Sequence, residues 1–173
     1  MNTVAKFEKV SFEQYKKDCA ALGIKGDEAK LKADWESVKL PTRATVGSAG
    51  YDFYMPYGTI ICGDEKELQE KDWVVIPTGI RCQIEQGWVL CIFPKSGLGF
   101  KKIFRLANSV GLVDSDYFFS SNEGHIMVKA ACDKTCVLRA GDKFVQGVFL
   151  PYGITSDDNA SGIRDGGFGS TGA

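Results

Sequence analysis

Hydrophobic positions follow two different rhythms along this chain. Between residues 11 and 38 they recur at helical spacing; after Pro41 they come in short runs separated by glycine, proline and polar turn residues. Residues 4–10 read as an opening strand. Ser11-x-x-Gln14 has the form of a capping box, and Val10 with Tyr15 occupies the two staple positions across it. Phe12, Tyr15, Cys19 and Leu22 then share one helical face until Gly23 ends the run. A second helix is predicted from Asp27, with Leu31, Trp35 and Val38 on one side, stopping before Pro41. These helices read as a packing appendage.

The later runs predict strands at 51–54, 73–84, 88–93, 110–113, 125–131, 135–138 and 144–150. Pro77-Thr78-Gly79 marks a turn or bulge within the second of these, and the charged stretch 63–72 reads as a solvated loop. Short, evenly spaced strands of this kind point to a mainly β fold, an antiparallel sandwich, jelly roll or barrel. The expected form is a jelly roll or β-barrel of short antiparallel strands, with an N-terminal helical insertion at about 11–38. One domain over 1–152 followed by a flexible C-terminal arm, 153–173, is the expected organisation.

Composition narrows the ligand. A chain of 173 residues suits a single core, and a net charge of −1 lacks the basic excess of a nucleic-acid-coating protein. The partner should therefore be a small molecule. No apolar run reaches membrane-spanning length and no secretory h-region is visible, so the expected location is cytoplasmic. Six cysteines, several within apolar strand-like runs, read as reduced core thiols. Cys132 and Cys136 are spaced C-x₃-C, yet the chain has one histidine, His125, and a zinc site would need two further ligands.

Five segments carry candidate chemistry. The tail 164–173 is dense in glycine, so it builds no core but can present amides, the Ser170 and Thr171 hydroxyls, the Phe168 ring and the Arg164 cation to a ligand. Taken alone it also reads as a disordered terminus. Pro94-Lys95-Ser96-Gly97-Leu98-Gly99 follows an apolar strand with a cation, a hydroxyl and two glycines, a composition suited to an anion at a helix start. Val110-Gly111-Leu112-Val113-Asp114-Ser115-Asp116-Tyr117 delivers two carboxylates and a phenol at a strand end. Asp114 there suits a general base toward water, or an Asx turn. Ala49–Asp52 and Gly141–Gln146 each set polar groups beside a glycine turn.

In this order, the five segments resemble the five motifs of the homotrimeric dUTPases, and the resemblance runs from about residue 40 to the C-terminus. It implies a dUTP diphosphatase that forms dUMP and diphosphate, with Asp114 activating the attacking water. Tyr117 would lie under the deoxyribose. Asn108 and hairpin groups including Gly111 and Val113 would read the uracil edge. Lys95, Ser96, Gly97 and Gln146 would bind phosphates. Phe168 would stack on the base, while Arg164, Gly169, Ser170 and Thr171 close over the triphosphate. Asp52 would hold waters around a Mg²⁺ that the triphosphate itself chelates. A homotrimer with shared sites is implied, with a regulatory protein partner as a further role known in viral and phage relatives.

The chain departs from that pattern in four ways. Lys95 and Lys143 stand where arginines are usual, keeping charge but losing bidentate geometry. Arg164 lies four residues before Phe168 rather than five. Residues 118–123 intervene before Gly124-His125 where the family turns at once, and the 11–38 helices are extra. Two alternatives share the fold: a nucleotide-binding regulatory module with little catalysis, and a dCTP deaminase.

Overall fold

The computed structural model describes residues 2–63 and 73–162. Within them the order is β1 (Ala5–Lys9), α1 (Phe12–Ala21), α2 (Glu28–Ser37), β2 (Thr42–Arg43), β3 (Tyr51–Tyr54), β4 (Thr59–Ile61), β5 (Val74–Pro77), β6 (Ile80–Ile84) and β7 (Trp88–Pro94). Then follow α3 (Ser96–Lys102), β8 (Phe104–Leu106), β9 (Gly111–Val113), a 3₁₀ turn (Ser115–Phe119), β10 (Met127–Cys132), β11 (Cys136–Leu138) and β12 (Lys143–Pro151). Strands pair as β1-β6, β5-β10-β8, β11-β4 and β2-β3-β12-β7-β9, antiparallel throughout.

The predicted mainly β architecture, matching a jelly roll, is what forms. Ile80, Cys82 and Ile84 on β6, Phe104 and Leu106 on β8, and Cys136 and Leu138 on β11 alternate inward. They meet Phe53, Leu90, Ile92, Ile126 and Phe144 in one core. The run 73–84 divides at Thr78-Gly79, where Gly79 takes φ +74 and a Cβ would lie 2.9 Å from Val38 Cγ2. β2, β4 and β8, of two or three residues each, are too short to show a period in sequence. All six cysteines are free and only Cys62 is exposed. Among the described residues no helix is long and apolar enough to cross a membrane.

Both helices start where their caps indicate. Ser11 Oγ accepts from Gln14 N at 3.1 Å and Asp27 Oδ1 from Lys30 N at 2.8 Å. Val10, Tyr15, Cys19 and Leu31 form a second, smaller core. Three details differ from expectation. Gln14 does not return to the Ser11 amide; its Nε2 donates to Asp18 at 2.8 Å, and Glu123 accepts the Ser11 N–H instead. Leu22 is exposed because the helix ends at it. Val38 leaves the appendage for the main core, against Gly79 in the turn before β6.

Candidate active site

Strand order does most of the assembly. The sequence β3-β12-β7-β9 within one sheet brings four of the five motif segments, dispersed over nearly a hundred residues, onto neighbouring strands. Gln146 on β12 is level with Asp52 on β3 and with Phe93 on β7, and Lys95 follows directly as the N-cap of α3.

The Asp52 carboxylate is buried between two ammonium groups. Lys95 Nζ donates to Oδ1 at 2.5 Å, and Lys143 Nζ lies 2.8 Å from Oδ2 as an ion pair without hydrogen-bond alignment. Burial pushes the Asp52 carboxyl up, and the two lysines outweigh it, leaving the group below the ordinary carboxylate range. Asp52 in turn raises Lys143. The lysine side chains are 29% and 43% exposed while Asp52 is 2% exposed, so a net positive charge faces solvent. Gln146 lies so close over Gly50 that a Cβ there would sit 2.9 Å from its Oε1. Ser96 and Gly97, in the first turn of α3, are exposed beside the same cluster. The predicted phosphate-binding residues thus converge, with the Lys95 ammonium held by Asp52.

A second group surrounds the β8–β9 hairpin. Its tip contains Ser109 in the left-handed region, φ +59, and the Val110 N–H donates to the Asn108 carbonyl at 2.5 Å. Asn108 and Gly111 line a mostly apolar pocket of about 270 Å³ with Ile92, Leu106, Met127 and Val128. At Gly111 a Cβ would lie 3.2 Å from Ile92 Cβ and 3.7 Å from Asn108 Nδ2, so a side chain there would crowd the pocket. Met127 and Val128 escaped the sequence reading; the one available signal was their place on the strand returning beside the hairpin. Val113 points into the core, so only its backbone is available to a ligand.

Asp114 and Tyr117 belong to the far end of this sheet. β9 runs against β7 with Gly111 opposite Ile92 and Val113 opposite Leu90, so Asp114 leaves near Val89 whereas Lys95 lies beyond Pro94. At ~3.3 Å per residue the two are separated by about 15–20 Å within one chain. Asp114 is half-buried and precedes the 3₁₀ turn, in which Tyr117 N–H donates to the Asp114 carbonyl at 3.2 Å. Tyr117 is 1% exposed, and its hydroxyl donates to the His125 carbonyl at 2.8 Å and accepts from Asn122 Nδ2 at 2.9 Å. A sugar would meet this ring only through a local opening of its cover. Arg164, Phe168, Gly169, Ser170 and Thr171 lie outside the described residues.

Comparison with known proteins gives the family. The family model for dUTPase matches residues 36–172. A deoxyuridine 5'-triphosphate nucleotidohydrolase of Lactococcus lactis is 36% identical over 155 residues, covering 87% of this chain and 99% of that protein. A dUTPase crystal structure from Streptococcus mutans superposes with a TM-score of 0.63 at 32% identity, covering 87% of this chain and 98% of that one. A phage phi11 dUTPase of S. aureus, described with a structural Mg(II) ion, shares the fold at TM-score 0.61 and 16% identity, covering 93% and 98%. The chain belongs to the dUTPase family, and with it to the enzymes that hydrolyse dUTP.

The described residues of one chain do not build a resident magnesium site. Among the described residues no three His, Cys, Asp or Glu side chains converge, and a dication beside Asp52 would face both ammonium groups. The expected role of Asp52 toward the waters of Mg²⁺ therefore competes with its two ion pairs.

Proposed function

We propose that this chain hydrolyses dUTP to dUMP and diphosphate, using an Asp114-activated water that attacks the α-phosphorus, in sites shared between the subunits of a homotrimer. One observation carries the shared-site reading. The β7–β9 register sets Asp114 at one end of the strand pair and the Lys95–Asp52–Lys143 cluster at the other. A triphosphate bound by both groups must draw them from different chains.

In this reading the pocket beside Asn108 receives uracil. Its fixed backbone donors and acceptors reject cytosine by leaving polar groups unpaired, and its walls exclude the 5-methyl of thymine. Tyr117 lies beneath the deoxyribose once the cover over its ring opens, and leaves no room for a 2′-hydroxyl. Asp114 takes the proton of the attacking water as the α-phosphorus to bridging-oxygen bond breaks, and diphosphate departs. Lys95, Lys143, Ser96, Gly97 and Gln146 stabilise the charge that develops on it. Asp52 acts by aiming the two lysines. A Mg²⁺ chelated by the triphosphate would supply charge neutralisation at the phosphates. Phe168, Gly169, Ser170 and Thr171, with Arg164, close the site.

Incubation with dUTP, dCTP and dTTP, with product identification, tests the reading. Diphosphate from dUTP alone is expected. Ammonia from dCTP would establish the deaminase, and nucleotide binding without turnover the regulatory module. Shared sites have their own test. Mixing Asp114→Asn with a chain lacking residues 164–173 should restore turnover in hybrid trimers, and absence of rescue under proven subunit exchange would place each site within one chain.

A further inference from the structure

The segment after Tyr117 is fastened to the helical insertion and to the turn before β6. Ser11 donates through its N–H and its hydroxyl to the two Glu123 carboxylate oxygens, at 2.8 and 2.7 Å. His125, fully buried, stands 2.6 Å from Asp18 Oδ2 through Nδ1, while its Nε2 accepts the Gly79 N–H at 2.8 Å. Because Nε2 accepts, the ring proton resides on Nδ1 and is donated to Asp18, so the network selects one tautomer. Gly79 also accepts from Val10 N at 3.1 Å, which joins the root of α1 to the same point.

These contacts reach the Tyr117 ring by a short route. The His125 carbonyl holds the Tyr117 hydroxyl at 2.8 Å, and Asn122 bridges the two, donating to Tyr117 Oη at 2.9 Å and to the His125 carbonyl at 3.4 Å. Gly124 lies flat on the preceding backbone: at φ +70 a Cβ would be 2.7 Å from Phe118 Cα and 2.8 Å from the Tyr117 carbonyl. On the opposite side Arg81 donates to the Phe118 carbonyl at 3.0 Å and covers the Phe118 ring at 3.6 Å. A shift of α1 is therefore transmitted to His125 and from its carbonyl to Tyr117.

We propose that Asp18 and His125 are positioning residues through which α1 fixes the Tyr117 ring, and hence the sugar-binding floor; the proposal rests on the dUTP reading above. The N-terminal helices and the segment 118–123 are then two halves of one device. The insertion supplies Ser11 and Asp18, and the longer segment supplies Glu123 and carries the chain on to His125.

The test uses the full chain, with Asp18→Ala, Asp18→Asn and Glu123→Gln. Since the chain has a single histidine, its ¹⁵N imidazole signals are unambiguous, and the wild type should show Nδ1 protonated and Nε2 bare. Asp18→Ala should lose the Nδ1–H hydrogen bond, read as a shift of the Nδ1 signal, while the Gly79 N–H keeps Nε2 bare. It should also raise KM for dUTP about tenfold and lower the preference for dUTP over UTP by a similar factor, with kcat falling less. Asp18→Asn keeps an acceptor for Nδ1–H and should restore most of both. If Asp18→Ala fails to fold, Glu123→Gln, which weakens the exposed tie to Ser11 and leaves the Ser11 cap on Gln14 in place, should still lower the dUTP-over-UTP preference. A folded Asp18→Ala with unchanged KM and sugar preference would overturn the positioning role, as would a wild-type imidazole protonated on Nε2. A wild type inert toward dUTP would instead overturn the functional reading, leaving the tautomer result to decide the link between α1 and His125.

Discussion

Two buried polar clusters stand at opposite ends of the β7–β9 strand pair, and they are built on different principles. At one end Asp52 holds two lysines whose charge exceeds its own and faces solvent. At the other, His125, Asp18, Tyr117, Asn122 and the Gly79 amide satisfy one another, with the imidazole at 0% exposure. The first cluster keeps an electrostatic surplus, which is what an anion requires. The second spends its bonds internally, which is what holding a ring still requires. The proposed base, Asp114, sits on the rigid side, and the two lysines proposed to meet phosphate sit on the open side.

Asp114→Asn probes the rigid end most severely. The amide preserves shape but cannot take a proton, so kcat should fall about 10²–10⁴-fold while dUTP binding persists. Single-turnover kinetics with an equilibrium binding measurement separates the two. Near-normal turnover would remove Asp114 as the base and dissolve the division of labour between the two ends.

Gly124→Ala comes next, acting on stability. The position needs a left-handed backbone and has no space beside Phe118 Cα, and neither neighbour is a movable side-chain end. The expected loss is about 2–4 kcal/mol, read as a lowered denaturation midpoint. An unperturbed midpoint would show that the Tyr117–Gly124 turn yields easily and is a poor anchor.

What the sequence displayed and what it concealed divide along the same line. The motif segments holding Asp52, Lys95, Asp114 and Gln146 were legible because each is local: a glycine turn, a strand end and a polar residue within a few positions. The N-caps Ser11 and Asp27 were legible for the same reason. The pairing of Lys95 with Lys143 across Asp52 was not, since it depends on β12 lying between β3 and β7. Nor was the role of Glu123 at Ser11, which spans 112 positions and displaces the local partner Gln14 from the box. His125 drew attention only as a deficient zinc ligand. Its actual partners, Asp18 and the Gly79 amide, come from segments 107 and 46 residues away.

Asp52→Asn addresses the open end. It leaves two ammonium groups without their anion, and since both lysines reach water the cost should be about 1–3 kcal/mol, short of the ~3–5 of a fully enclosed pair. The Asp52 carboxyl is held below its ordinary range, so its contribution to stability is complete above the unfolded-state pKa and is lost as pH falls through the folded one. Denaturation curves of wild type and variant should therefore differ at neutral pH and converge in acid. A gap that stays constant into acid would mean that the lysines contribute nothing through charge.

Gly50→Ala should have the smallest effect, and it is informative because it is the same substitution as at Gly124 made at the other cluster. Here φ is not in the left-handed region, and the atom in the way, Gln146 Oε1 at 2.9 Å, is the far end of a flexible side chain. The amide can swing aside, so stability should change by less than about 0.5 kcal/mol. Swinging aside nevertheless takes Gln146 from the place where it would meet phosphate, and KM for dUTP should rise about three- to tenfold with the fold intact. The paired glycine variants thus separate the two clusters by their readouts, one through the denaturation midpoint and the other through KM. If Gly50→Ala lost stability as Gly124→Ala does, the open end would be as tightly packed as the rigid one, and the contrast drawn between them would fail.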